Sequence, residues 1–308
     1  METLIKNKDK YFILKNKVKT KDKSLFTHTV IRNYDINENS LSIIMTSSNR
    51  SKQTYYTLKT IANSIFKNIQ IVIIDDSTID PIEITKLSVY PFYIDLIQIN
   101  RECKDWHNPL VNYNIGFNYV KGNYVIIQNA EVCHVGDVIN FIMHNVKDNV
   151  YFVFDVKAIN SIGSNETIYK LDNIDTNIYS REELFLEWYQ HKSNNRGFHF
   201  LTAMTKKTFD LIDGFSYDYS YSSCYDDNDF ILRIISRGIH IVNIFNEEHF
   251  LGGMHLYHVN AFLAWDTNIE MNYQLFLNKQ QIFRQTGHYV DVTANPEKFD
   301  EEYKKLLI

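Results

Sequence analysis

The sequence has 308 residues, of which 44% are hydrophobic and 22% are charged, and its formal net charge at pH 7 is −5. These values predict a folded chain with a substantial core, in one large α/β domain or two moderate ones, and exclude a disordered chain. The slight excess of acids gives no positive field to attract a polyanion, so a general nucleic-acid-binding protein is not expected.

Three cysteines, Cys103, Cys133 and Cys224, are widely spaced and form no CxxC pair. They predict reduced thiols in a reducing compartment rather than a disulfide framework or a zinc site. The amino terminus is rich in lysine but lacks the apolar core of a signal peptide, and no run approaches 18 apolar residues. We therefore expect a cytoplasmic protein without a membrane span.

The chain opens with a basic extension over residues 1–40. We expect a solvated tail or an extra edge strand there, with the alternating stretch 11–18 as a candidate edge hairpin. From residue 41, apolar β-branched runs alternate with helical spacing, which is typical of a parallel sheet covered on both faces. The predicted strands are 41–46, 69–75, 94–100 and 123–129, and the predicted helices are 51–67 and 109–120.

The second half is less periodic. Predicted strands are 150–156, 197–205, 239–245 and 252–259, and predicted helices are 205–212, 226–238 and 268–286. Residues 158–195 form a long polar stretch, which favours a functional loop.

Polar residues follow the predicted strands at the edge where parallel sheets bind ligands. Asp75 and Asp76 suit hydrogen bonds from a uracil imide or a ribose, or alternatively a helix cap and turn. Asn129 and Glu131 suit Mn²⁺ or Mg²⁺ bridging a diphosphate, although Glu131 could instead cap the next helix. His134 is expected to be a packing or capping group.

A cluster of acids opens the predicted helix 226–238. They are Asp226, Asp227 and Asp229, which is more acids than are needed to balance the helix dipole. Their mutual repulsion is expected to raise the pKa of at least one of them. A carboxylate positioned in this way can deprotonate a hydroxyl. Arg233 is expected to pair with Asp229 or Asp226.

Two histidines, His255 and His258, stand three residues apart further along the chain. Both can approach one metal, or one can bind while the other packs. The sequence has no GxGxxG, GxxxxGK[ST], GxSxG or HExxH motif, which argues against a Rossmann dehydrogenase, a P-loop enzyme and a standard serine hydrolase.

Taken in order, these segments resemble a GT-A glycosyltransferase of the family 2 kind. The first half carries SIIMTSSNRSKQTYYTLKTI, IQIVIIDDSTID and NPLVNYNIGFNYVKGNYVIIQNAE. The second half, with FLTAMTKKTFDLIDGF, DDNDFILRIISRGIHI and HLYH, resembles the β-1,4-galactosyltransferase group. The resemblance implies an α/β GT-A domain over residues 41–265, with a mixed, mainly parallel sheet flanked by helices, and a C-terminal helical segment over 266–308 packed on it.

The resemblance also implies inverting transfer of a sugar from a UDP-sugar donor to a hydroxyl acceptor, with Mn²⁺ or Mg²⁺ as cofactor. Asp227 is then the general base, and Asp226 binds the acceptor. Aromatic residues of the polar stretch would cover the acceptor or equally belong to the core: Trp188, Tyr189 and His191. The residues expected at the nucleotide-sugar are Thr46, Ser47, Arg50, Asp75, Asp76 and Asn129, and those expected at the metal are Glu131, His258 and His255.

The chain departs from the family pattern at three places. NAE (129–131) replaces the DxD motif, His199 and Phe200 replace a glycine pair, and residues 223–225 replace the glycines before the acidic motif. A non-catalytic module that binds a carbohydrate or nucleotide-sugar therefore stays open as an alternative. A nucleotidyltransferase that forms sugar nucleotides is a second one, but it usually needs a glycine-rich loop that SSNRSK lacks.

Overall fold

A computed structural model describes residues 8–32, 36–37, 39–259 and 269–292 of the chain. Its strands are β1 (Phe26–Arg32), β2 (Leu41–Ser47), β3 (Ile69–Asp75), β4 (Tyr93–Ile99), β5 (Tyr124–Asn129), β6 (Val132–Val135), β7 (Val150–Phe154), β8 (Val156–Ile159), β9 (Phe185–Gln190), β10 (Leu201–Thr205), β11 (His240–Ile244) and β12 (Gly252–His255). Its α-helices are α1 (Lys8–Lys19), α2 (Ser51–Ala62), α3 (Ile84–Leu87), α4 (Leu110–Phe117), α5 (Val138–Asn145), α6 (Ile162–Ile168), α7 (Lys206–Ile212), α8 (Asp226–Ser236), α9 (Asn246–His249) and α10 (Ile269–Thr286).

The main sheet of the described residues has eight strands in the order β1-β4-β3-β2-β5-β10-β7-β11. Within this sheet, β4, β3, β2 and β5 run parallel to one another, and β11 runs parallel to β7. Strands β1 and β10 run antiparallel to their neighbours. The mixed, mainly parallel sheet is as predicted, and β2, β3 and β5 end along one edge at Ser47, Asp75 and Asn129.

Apolar residues cover both faces of the central strands. On β2, Ile43 and Met45 lie in one core together with Leu58 of α2. Ile44, which points to the opposite face, lies in a second core with Ile115 of α4. All five side chains are fully buried. A strand buried on both faces needs an unbroken apolar run, which is why these strands are readable in the sequence.

A second sheet of four strands, β6-β12-β8-β9, was not expected from the sequence. The predicted strand 150–156 is divided at Asp155, so that β7 belongs to the main sheet and β8 to the second. The predicted loop 158–195 instead contains α6, two short 3₁₀ turns and β9. Strand β12 lies between β6 and β8, antiparallel to the first and parallel to the second.

In the described part of the N-terminal extension, the predicted edge hairpin at 11–18 is wrong. Tyr11, Leu14 and Val18 are buried in the core, and their spacing of three and four residues is that of one helix face, α1. The expected extra edge strand is confirmed, because β1 pairs antiparallel with β4.

The C-terminal helix α10 packs against α8. The predicted domain boundary at 265 and the last part of the predicted C-terminal segment, 293–308, lie outside the described residues. Among the helices that the structure describes, none is both long and apolar enough to cross a membrane.

Candidate active site

Glu131, His255 and His258 meet at the edge where the central strands end. Strand β12 pairs with β6 so that His255 lies opposite Val132, next to Glu131. The Nε2 atoms of His255 and His258 lie 3.2 Å and 3.4 Å from Oε1 of Glu131. One ligand atom from each residue falls within 4.8 Å of the others. The structure thus brings together the three residues that the sequence nominated as metal ligands.

The carboxylate of Glu131 is only 1% exposed, and its environment keeps it charged. Burial by itself would raise its pKa, but the charge of Arg50 and the two imidazoles hold that pKa well below the usual range. Nη1 of Arg50 lies 2.6 Å from Oε1. The second oxygen, Oε2, is buried and has no partner in the described part of the chain. A carboxylate oxygen left unpaired beside two imidazoles fits a divalent cation such as Mn²⁺.

Glu131 does not cap the following helix. Helix α5 begins at Val138 and is capped by Asp137, whose side chain accepts from the N–H of Asn140. His134 is a packing group as expected: its Nε2 donates to the side-chain oxygen of Gln128 at 2.9 Å, and burial lowers its pKa to about 4.

The acid that ends β3 and the acid that follows it have different partners. Asp75 accepts from the backbone N–H groups of Ser77 at 3.2 Å and Ile82 at 2.8 Å, so both of its oxygens hold the loop that follows. Asp76 forms ion pairs with Arg101 and Lys104 and accepts from Asn112 at 3.1 Å. Asp75 therefore fits the turn role that the sequence left open, whereas Asp76 belongs to a charged group at the strand ends.

The end of β2 places Thr46 directly beside Asn129 of β5. Oδ1 of Asn129 lies 3.2 Å from the hydroxyl of Tyr113, which also donates to the carbonyl of Gln128 at 2.9 Å. Ser47 is buried, and its hydroxyl lies 3.2 Å from that of Thr54 in α2. Ser47 thus joins a strand to a helix, while Thr46 and Asn129 are half-buried at the sheet edge.

The acidic motif begins after two residues in the left-handed region, Cys224 (φ 67°) and Tyr225 (φ 65°). Glycine adopts this conformation most easily, which explains why the family pattern has glycines here. This chain adopts the same conformation with Cys224 and Tyr225 instead. Asn272 of α10 donates to the carbonyls of Ser223 at 3.1 Å and Cys224 at 3.0 Å. Helix α10 thereby holds in place the turn from which α8 begins.

Asp226 and Asp227 open α8 with separate partners. Asp226 accepts from Nδ2 of Asn108 at 3.0 Å, and burial together with the charge of Asp227 raises its pKa to about 7. A raised pKa was expected in this cluster, but burial is its larger cause and the charge of Asp227 the smaller one. Oδ1 of Asp227 lies 2.7 Å from Nδ1 of His199. The sequence pattern marks His199 only as the replacement of a glycine and does not predict this contact.

The predicted pairing of Arg233 with Asp229 or Asp226 is wrong. Arg233 forms its ion pair with Asp291 at 2.6 Å, a residue from the far end of the chain. Asp229 lies 3.3 Å from Nζ of Lys279, on α10. Neither partner follows from helical spacing, because both contacts join segments more than 45 residues apart in the sequence.

The three aromatic residues assigned to the acceptor occupy different places. Tyr189 packs edge-on against His255, with ring centroids 4.9 Å apart, and so lies beside the proposed metal ligands. Trp188 stacks on His191 with centroids 4.4 Å apart and packs against Tyr179. Trp188 and His191 therefore belong to the packing of the second sheet.

The sequence model of the family described as "Glycosyl transferase family 2" matches residues 42–211, more than half of the chain. The chain belongs to this family. The family match stops before α8, so the likeness of the second half to β-1,4-galactosyltransferases stays a prediction. No curated protein gives a significant match in sequence.

Solved structures resemble this chain at low sequence identity. Residues 1–349 of TarS from S. aureus, in complex with UDP-GlcNAc, are 14% identical with a TM-score of 0.53, over 79% of this chain and 66% of that one. A longer TarS structure is 14% identical with a TM-score of 0.47, over 79% and 45%. The chain spans less than two thirds of the length of the two TarS structures that it matches. The mannosyltransferase PcManGT from Pyrobaculum calidifontis, in complex with GDP-Man and Mn²⁺, is 13% identical with a TM-score of 0.45, over 98% and 79%. The first match shows a GT-A fold.

Proposed function

We propose that this glycosyltransferase moves a sugar from a UDP-sugar to a hydroxyl group, with inversion at the anomeric carbon and with a divalent cation held by Glu131, His255 and His258. The observation that carries the proposal is the position of Tyr113, between the metal candidates and the acidic motif. Its hydroxyl reaches Asn129, and its ring lies against that of His199, with centroids 4.9 Å apart. Burial and the charges of Glu131 and Asp227 together raise the pKa of this hydroxyl.

The donor would bind along the ends of β2, β3 and β5. Asp76 would accept from the uridine, and Arg101 and Lys104 would fix that carboxylate, since both already pair with it. Arg50 would face the diphosphate from the other side of the strand ends, where its guanidinium now contacts Glu131. A divalent cation, when bound, would balance the charge that develops on the departing diphosphate.

The acceptor would approach Asp227, which keeps 30% of its side chain exposed. Asp227 would take the proton of the acceptor hydroxyl as the oxygen attacks the anomeric carbon and the bond to the diphosphate breaks. Asp226 would accept a second hydrogen bond from the acceptor, and Tyr189 would offer a ring to a sugar face.

A UDP-release assay with a panel of UDP-sugars and simple hydroxyl acceptors tests this function. We expect UDP release that depends on the acceptor and falls in EDTA. Pyrophosphate release from UTP would instead indicate the nucleotidyltransferase alternative. Nucleotide binding without either release would indicate a non-catalytic module.

We also propose a reducing, cytoplasmic setting for this reaction. No disulfide joins Cys103, Cys133 and Cys224, and Cys133 is buried. Thiol counting under denaturing conditions should find three free thiols in protein isolated without reductant.

A further inference from the structure

His199 stands just before β10 and directly faces the proposed base. Its Nδ1 lies 2.7 Å from Oδ1 of Asp227, which is the distance of an ion pair. Both atoms are buried, and neither forms a hydrogen bond of good angle in the described residues. The side chain of Asp227 is nevertheless 30% exposed. One oxygen is thus committed to the imidazole, and the other is left to meet an acceptor.

Two aromatic rings fix the orientation of this imidazole. Tyr113 of α4 and Phe215, in the turn after α7, both pack edge-to-face against His199, with centroids 4.9 Å and 5.1 Å away. The ionisable groups that face His199 are the hydroxyl of Tyr113 and the carboxylates of Asp226 and Asp227. A ring held between two others cannot swing away at low cost, so Nδ1 stays on Asp227.

We infer that His199 is a positioning residue for Asp227: it anchors Oδ1 so that Oδ2 faces the acceptor, and its protonation state sets the pH range in which Asp227 works. This inference rests on the proposed function. A neutral His199 keeps Nδ1 in contact with Oδ1 and leaves Asp227 a competent base. A protonated His199 forms a full ion pair, which stabilises the carboxylate against protonation and weakens it as a base.

The sign of the pH dependence follows from the surroundings. Burial would lower the pKa of His199, but the charge and hydrogen bond of Asp227 outweigh it, so this pKa lies above the ordinary 6.5. Activity should therefore be low when His199 is protonated and rise as pH passes through that raised value. Asp226 contributes in the same direction, since its charge also favours the imidazolium.

An NMR titration of the histidine rings in the whole protein tests the pairing without any activity. We expect the midpoint of His199, assigned by its loss in His199→Asn, to lie above 6.5 and to fall in Asp227→Asn, where burial remains but the negative charge is gone. The exposed His144 is the internal control and should not respond. A midpoint that Asp227→Asn leaves unchanged would overturn the pairing.

The predicted effect of His199 on the pH dependence of activity is tested by the pH profile of kcat/KM for the acceptor at saturating donor. His199→Asn keeps an N–H donor near the position of Nδ1 but cannot be charged, so it should lose the rise with pH while staying active. His199→Leu removes the donor and should lower kcat by about 10²-fold at every pH, with the KM for the donor unchanged. Asp226, whose pKa is about 7, would add a rise of its own, so the comparison is made in an Asp226→Asn background. A rise with pH that persists there after His199→Asn would refute the inference.

Two measurements separate the possible failures. Thermal melting and UDP binding, recorded for each variant, identify one that has not folded. A wild-type protein that transfers no sugar would count against the proposed function, while the NMR titration would still decide whether His199 and Asp227 are paired.

Discussion

Asp227 carries the proton transfer in the proposed reaction, and its amide variant separates chemistry from binding. Asp227→Asn keeps the size of the side chain and removes one negative charge from the start of α8, which costs about 0.3–1 kcal/mol of folding free energy. We expect transfer to fall by about 10²–10⁴-fold, with UDP affinity unchanged. Steady-state kinetics and UDP titration check this, with Asp226→Asn as the matched variant that should raise the acceptor KM. Full activity in both variants would contradict the mechanism.

Nη1 of Arg50 contacts Oε1 of Glu131, which is the oxygen that His255 and His258 also face. A bound cation and the guanidinium would compete for this carboxylate, so Arg50→Met should bind Mn²⁺ more tightly in the absence of nucleotide. We expect about a tenfold gain in affinity, equivalent to about 1.4 kcal/mol. Titration followed by the EPR signal of free Mn²⁺ measures it. Lys52→Met, which loses an exposed pair with Glu166, is the control and should bind as wild type does. Weaker binding by Arg50→Met would show that Arg50 supports the metal.

At the scale of elements, α8 is held from behind by α10 through a buried lysine. Lys279 is fully buried, with Nζ 2.6 Å from Asp218 and 3.3 Å from Asp229. Lys279→Met leaves these carboxylates without their cation and should cost about 3–5 kcal/mol, measured by denaturant unfolding. Lys206→Met, which removes a surface pair with Asp210, should cost less than about 1 kcal/mol. Equal losses in the two variants would mean that the buried group contributes no more than a surface pair.

The same elements show what the sequence could and could not predict. Strands such as β2 and β3 were predictable because burial on both faces demands unbroken apolar runs. Glu131, His255 and His258 were nominated by residue type and order. The second sheet was missed because β9 lies in a polar stretch and alternates between buried and exposed residues only weakly. The partners of His199, Arg233 and Lys279 were missed because tertiary contacts between distant segments leave no periodic signal in one sequence.

For the whole molecule, ligand binding should appear as added stability. UDP binds the folded state at the strand ends in the proposed function, so it should raise Tm, and Mn²⁺ should enlarge the shift by linkage. At a ligand concentration of 100 Kd the expected stabilisation is about 2.7 kcal/mol. Differential scanning fluorimetry with UDP in EDTA and in excess Mn²⁺ measures both effects. Identical shifts in the two conditions would remove the metal from the proposal, and Glu131→Gln should abolish the Mn²⁺ increment alone.

Strand β1 and helix α1 have a practical consequence for anyone who shortens this protein. Both lie before residue 41, where the family-like segments begin, yet β1 pairs with all of β4, and α1 contributes three side chains to the core. A chain trimmed to residue 41 would expose the backbone of β4 as an open edge, which invites edge-to-edge association. Static light scattering should find such a chain aggregated at concentrations where the intact one stays dispersed. The N-terminal extension would then keep the protein from aggregating by covering the edge of β4.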